Sequence, residues 1–237
     1  MKLRGFNKLV RLPKNKPERS NVCFVNFSNG IYIEPQRDLV VSIKKYSNYD
    51  VLTFTRFEEI GSPAHKDSPY EFKLFSIKKA RELGYEIVIW VDAPMRLIRP
   101  IDSLIPKVKE LGIYIQQDGW TVGQWANDKA LEYFGISRDD AMKILNTSAG
   151  IMIFDFTNNI SSIFLDELFK CASAGLFRGH WNNKNKTESQ DERCLGHRHD
   201  QTCVELVANK LGIQKQPMLW GNNPLYDGRF FTTWDNK

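Results

Sequence analysis

The sequence predicts an α/β fold with a mostly parallel central sheet flanked by helices, and three observations carry that prediction. Short apolar, β-leaning runs alternate with helical stretches along the whole chain. One run, Ile87-Val-Ile-Trp-Val91, is apolar at consecutive positions, as a strand covered by helices on both faces must be. The 237 residues are 42% hydrophobic, 12% aromatic and 26% charged, which supports one substantial core and excludes collagen, coiled coil and intrinsic disorder.

The first strand is predicted at 22–27 (VCFVNF), broken by Ser28, Asn29 and Gly30, and the second at 50–54. Between them, 38–46 has helical spacing, with Leu39, Ile43 and Tyr46 on one side. Pro69 suits the first turn of a helix over 70–83, whose apolar face (Leu74, Phe75, Ile77, Ala80, Leu83) is closed by Gly84. After the buried strand at 87–91 come a helix over 103–111, a short strand at 113–115 and a helix over 128–134. The capping-box form Ser137-Arg-Asp-Asp140 opens a further helix through residue 145. A strand at 151–156 precedes an amphipathic helix over 160–174 that turns Ile163, Phe164, Leu168 and Cys171 inward. Residues 182–193 contain no apolar side chain, which predicts a mobile surface loop. The last helix, 200–211, aligns Val204, Val207, Ala208 and Leu211 and stops at Gly212.

Net charge is +5, yet it is unevenly spread. Residues 1–20 hold seven basic side chains against Glu18 and contribute +6, so the rest of the chain carries −1. The chain therefore reads as a basic arm (1–20) ahead of a nearly neutral domain (21–237), which argues against nucleic acid as the domain's partner. No apolar run reaches the length of a signal peptide core or a membrane span. Four cysteines without a CxxC read as reduced thiols, and the expected location is cytoplasmic.

Ligands of such sheets bind beyond the carboxyl ends of the strands. Asp92, the first polar residue after the buried strand, stands there, and a carboxylate at that edge can hold a hard divalent cation. The second constellation is Cys194-Leu-Gly-His197-Arg-His199-Asp200-Gln201-Thr-Cys203, which puts His199, Asp200 and Gln201 around a helix N-terminus. It has several readings. It could form a zinc site of form C-x2-H-x-H-x3-C, as in a zinc-stabilised binding module. It could be the His-Asp dyad of a metal-dependent hydrolase, or a sugar- and phosphate-facing helix start.

Together these segments resemble GT-A glycosyltransferases. Ile89-Trp-Val-Asp92-Ala-Pro-Met-Arg is similar to their strand-then-acid DxD region, with Pro94 where the second aspartate would stand. That departure is similar to variant motifs of polysaccharide-modifying and viral glycosyltransferases. Thr147-Ser-Ala149-Gly150 with the strand after it resembles their "NAG-plus-strand" segment, and His199-Asp200-Gln201 the "DQ" that opens a late helix in glycogenin-like members. The resemblance covers roughly residues 21–215. It implies transfer of a hexose from a UDP- or GDP-linked sugar to a hydroxyl of a glycan or glycoprotein acceptor, assisted by Mn²⁺ or Mg²⁺.

On that reading Asp92, with His197 or His199, holds the metal on the diphosphate, and Lys73 is a further phosphate partner. Asn26, Phe27 and Asn29 meet base and ribose, Ala149 and Gly150 let the backbone approach the sugar, and Asp200 or Gln201 faces the anomeric carbon. Trp120, Trp125, His180 and Trp181 offer rings that suit stacking on sugars. A metal-dependent nucleotide or phosphoester hydrolase built on the same aspartate and histidines is the alternative enzyme.

Overall fold

The computed structural model describes residues 20–221 and 229–233; apart from Ser20, the basic arm expected at 1–20 lies outside them. The chain runs β1 (Val22–Phe27), α1 (Ile33–Tyr46), β2 (Asp50–Phe54), α2 (Phe57–Ile60), α3 (Phe72–Glu82), β3 (Ile87–Val91) and β4 (Met95–Leu97). It continues through α4 (Ile105–Leu111), β5 (Ile113–Thr121), α5 (Val122–Trp125), α6 (Asp128–Phe134), α7 (Arg138–Ala141) and β6 (Leu145–Asp155). Helices α8 (Asn159–Ser173) and α9 (His199–Leu211) and strand β7 (Phe231–Thr233) complete it.

The main sheet has the order β2-β1-β3-β6-β5. Strand β1 is parallel to β2 and β3, and β6 runs antiparallel to both β3 and β5, so four strands point one way against one. The fold is thus the predicted mostly parallel α/β sheet flanked by helices. Alternation explains how both faces are buried. Cys23, Val25, Phe27, Val88 and Trp90 point to a core shared with α3, α8 and α9. Val22, Phe24, Ile87, Ile89 and Val91 point to a second core shared with α1 and α4.

Several elements differ from the sequence expectation for identifiable reasons. Helix α1 begins at Ile33 rather than residue 38, because Pro35 falls in the first turn, where its missing N–H removes no helical bond. Pro69 lies outside α3: Tyr70 has φ 62°, a left-handed kink that delays the helix to Phe72. The box at Ser137 caps only the four-residue α7, and β6 starts at Leu145 instead of 151. Its polar opening, Asn146-Thr-Ser148, is buried by pairing with Gln116 and Gln117 of β5, so polarity there marks a sheet edge and not a loop. Ile163 of α8 is 40% exposed, since the inward stripe falls on Phe164, Leu165, Leu168 and Cys171. The small sheet β4-β7 was not anticipated.

Residues 182–193 fold back on themselves. The Asn183 amide donates to the carbonyls of Ser189 and Cys194 and accepts from the N–H groups of Glu188 and Ser189, which buries the last two. Side chain to backbone hydrogen bonds replace the apolar burial that the composition lacks. Among the described residues no helix is long and apolar enough to cross a membrane.

Helix α9 carries a buried carboxylate, Glu205, 2.9 Å from the Lys215 ammonium and with Oε2 unpartnered. Burial raises its pKa to about 7 against the pull of Lys215. Between about pH 4.5 and 7 the unfolded chain has released this proton while the folded chain keeps it, so folding stability falls as pH rises through that window. Glu205→Gln keeps the neutral form at every pH. Its stability relative to wild type is expected to improve from pH 4.5 to 8 by about 1–2 kcal/mol, read by urea unfolding. A pH-independent difference would rule this out.

Candidate active site

The carboxyl ends of β1, β2 and β3, the start of β6 and the N-terminus of α9 meet at one edge of the sheet. Asp92 follows β3 there: its backbone N–H donates to Gly150 (2.8 Å) and its Oδ1 accepts from Trp90 Nε1 (2.8 Å). Lys73, in the first turn of α3, reaches between two carboxylates. Its Nζ lies 3.1 Å from Asp92 Oδ1 and 2.9 Å from Asp200 Oδ2, and it donates to the Ala149 carbonyl (3.1 Å). The Lys73 side chain is 4% exposed, whereas Asp92 keeps 34% of its side chain open to the cleft.

The electrostatics follow from that geometry. Burial pushes the Lys73 ammonium toward neutrality, but the facing Asp200 and Asp92 carboxylates overcome it and hold its pKa above the usual lysine value. Burial raises the Asp92 carboxyl against the opposing pull of Lys73, with Asp200 adding to the rise. The three groups together carry −1, on a floor where β3, β6, α3 and α9 converge.

The other residues named from the sequence fall into distinct places. Asn26 is 2% exposed and fully engaged: it donates to the Val91 carbonyl and accepts from Ser28 and Gln36. Phe27 packs its ring at 4.8 Å from both Phe57 and Phe72. Neither side chain is free to meet a base or ribose, because the end of β1 is tied into the sheet and the aromatic core. Asn29 is exposed, with no capping bond from its side chain. Ala149 contributes its carbonyl to Lys73 while its methyl lies in the core. Gly150 borders Asp92: a Cβ there would lie 3.1 Å from Met95 Cε and 3.6 Å from Asp92 Oδ2. Gln201 donates to Asp118 Oδ2 (2.9 Å), which ties α9 to β5. Lys73 is ion-paired with both Asp92 and Asp200 and donates to Ala149, so its ammonium serves first as their shared counter-ion.

The histidines do not form the expected ligand set. His197 is fully buried; its Nδ1 accepts from the Asn127 N–H (3.2 Å), so Nε2 carries the proton and faces the Leu176 carbonyl (2.8 Å). No lone pair is left for a metal, and burial lowers its pKa to about 4. His199 sits at φ 49°, with Nδ1 against the Phe177 carbonyl (2.9 Å) and its ring 5.4 Å from Tyr70 and 5.3 Å from Trp181. Cys194 Sγ faces the Ala126 carbonyl and Cys203 Sγ the Leu176 carbonyl, and burial keeps both thiols protonated. The zinc reading therefore fails.

At Asp92 the chain by itself supplies few ligands for a divalent ion. Pro94 removes the second carboxylate, and the two oxygens of Asp92 already face Trp90 Nε1 and Lys73 Nζ. Among the described residues no three His, Cys, Asp or Glu side chains converge to hold a metal. The described residues thus offer no all-protein cage for Mn²⁺ or Mg²⁺, and Asp92 is the single partly exposed carboxylate of this edge that could hold an ion together with a substrate's phosphates.

Arg198 is the residue the sequence reading passed over. Its guanidinium lies 4.0 Å from the Trp125 ring centroid and 4.7 Å from that of Trp181, with Nε buried and unpartnered and no ion pair among the described residues. Two tryptophans hold the planar cation in place, and the Asp118 carboxylate attracts it without forming an ion pair. An arginine immediately before the Asp200 segment, in a chain with tryptophans on neighbouring loops, was the available signal. Trp120 is 44% exposed and packs edge-on against Trp125, and Trp181 is 48% exposed, so both offer free ring surface.

No family model matches the chain, and no curated protein matches it. Among solved structures it is similar to the apo structure of the WbbM bifunctional glycosyltransferase, with a TM-score of 0.52 and 10% identity. The match covers 95% of this chain and 47% of that one, so the chain spans about half of that protein's length. At this identity the likeness is one of fold.

Proposed function

We propose that the chain transfers a hexose from a nucleoside diphosphate sugar to a hydroxyl of a glycan acceptor. The observation that carries this reading is the Arg198 guanidinium, clamped by Trp125 and Trp181 without an ion pair among the described residues, two positions before Asp200 of the Asp92–Lys73–Asp200 cluster. A glycosyltransferase-like fold supports it.

In such a transfer the bond from the anomeric carbon to the diphosphate breaks, negative charge builds on the leaving oxygens, and the sugar becomes cationic. Arg198 supplies a fixed fork of donors for the departing diphosphate, where charge develops. Asp92, held by Lys73, presents a carboxylate edge to the sugar side with the buried Asp200 behind it, and Gly150 leaves room beside Asp92 for its approach. Exposed Asn29, at the end of β1, stays available to the nucleotide. No step is routed through a metal.

The test is a thermal-shift series with UDP, GDP, CMP and their common sugars, each with Mn²⁺, Mg²⁺ or EDTA. At about 100 times its Kd, a ligand that binds only the folded state adds about 2.7 kcal/mol. One nucleoside diphosphate is expected to raise Tm by roughly 5–10 °C, equally in EDTA. Acceptor-dependent release of that nucleotide distinguishes transfer from hydrolysis. The absence of a shift with every nucleotide would sink the proposal.

A further inference from the structure

A cavity of about 620 Å³ lies next to the Asp92–Lys73–Asp200 cluster. It lies between the 175–180 segment, the 186–190 turn and the start of α6, with Lys66 and Pro69 on its rim. Cavity and cluster share a wall. Pro69 and His180 line the cavity, and the residues that follow them, Tyr70 and Trp181, pack on each other (6.4 Å) and on His199 beside Asp200.

The lining has a specific chemistry. Lys66, Lys129 and Arg178 border it, and none has an ion pair among the described residues; Lys129 Nζ and Arg178 Nε reach only the carbonyls of Ala174 and Asp67. The acid Asp128 is already matched, 2.6 Å from Arg138, and so is the fourth lining cation, Lys186, 3.4 Å from Glu192. That leaves three cations against one acid, Glu188, which is 8% exposed and accepts from Asn127 Nδ2 (3.1 Å). Gly179 lets this wall close, since a Cβ there would fall 2.6 Å from Glu188 Oε2 and 2.7 Å from His197 Cδ2. Unmatched cations call for an anion, while a buried carboxylate and the Ser189 and Thr187 hydroxyls call for hydroxyl groups. No large apolar side chain lines the space to hold a lipid or an aromatic peptide anchor.

We infer that this cavity binds a sugar bearing a carboxylate or phosphate, and that it is the acceptor subsite next to the transfer cleft. Its identification as the acceptor site rests on the transferase reading; the binding itself does not. Glucuronate, glucose 6-phosphate and glucose are titrated by ligand-observed NMR on the full chain, with UDP and GDP titrated in parallel.

One or both charged sugars are expected to bind at least about tenfold more tightly than glucose, and the difference is expected to shrink at 0.5 M salt, about the regime where screening shortens to a few ångströms. Lys66→Glu, at an exposed residue with no ion pair among the described residues, is expected to weaken charged-sugar binding by about tenfold and leave nucleotide affinity unchanged. Lys129→Gln with Arg178→Gln is expected to do the same while retaining a donor at each carbonyl. Equal binding of glucose and the charged sugars, no binding of any of them, or indifference to Lys66→Glu would overturn the inference. If charged sugars bind but no nucleotide does, the transferase reading falls and the sugar site stands.

Discussion

Lys73→Met is expected to cost about 3–5 kcal/mol of folding stability and to abolish transfer. The substitution keeps the volume of the stem but removes the one cation between Asp92 and Asp200, leaving two carboxylates confronting each other at the edge of the core. Asp92 is one-third exposed, so water relieves part of the penalty and the lower end of that range is expected. The loss should also depend on pH. Without the ammonium, protonating a carboxylate relieves the repulsion, so the gap to wild type should narrow as pH falls from 8 toward 4. Urea unfolding at several pH values reads this directly. Adding Asp200→Asn should restore much of the stability but none of the activity, because the charge conflict disappears while the carboxylate does not return. A Lys73→Met protein as stable as wild type at pH 8 would show that the triad is not the electrostatic centre described above.

Arg198→Ala is expected to leave the fold nearly intact and to lower kcat/KM by roughly a hundredfold, the usual cost of one donor aimed at developing charge. The stability change should stay near 1 kcal/mol, the scale of its contacts with Trp125 and Trp181. Arg198→Lys should not rescue the rate: an ammonium keeps the charge but lacks the planar fork that the two rings orient. Binding separates this role from simple packing. Affinity for a nucleoside diphosphate should fall far more than affinity for the nucleoside, since the arginine is assigned to the phosphates. A variant that turns over normally would remove Arg198 from the proposed chemistry.

These expectations lean on parts of the molecule that the sequence revealed to different degrees. Strands β1, β2 and β3 and helix α6 occupy the residues predicted for them, because their signals are local: an apolar run, a period, a glycine stop. The mostly parallel sheet follows from the alternation of those elements. The opening of β6 stayed hidden, since Asn146, Thr147 and Ser148 read as loop in isolation and become strand only when β5 pairs with them.

The cleft divides along the same line. That Asp92 stands at a strand's carboxyl edge, and Asp200 and Gln201 at the first turn of a helix, follows from position along the chain. What those side chains can do was settled by neighbours far away in sequence. His197 and His199 have the composition of metal ligands, yet carbonyls of Leu176 and Phe177 take one nitrogen of each ring, and the Asn127 N–H takes the other nitrogen of His197. Asn26 resembled a nucleotide contact until Val91, Ser28 and Gln36 consumed its amide. Lys73 was placed on its helix correctly, but only the closure of β3, β6 and α9 around it turned a lysine into the shared counter-ion of two aspartates. Periodicity and turn chemistry act over a few residues and so are written in the order of the chain. Burial, pairing and spent hydrogen bonds arise where distant segments meet, and that meeting left the Arg198 guanidinium between Trp125 and Trp181 without an ion pair among the described residues.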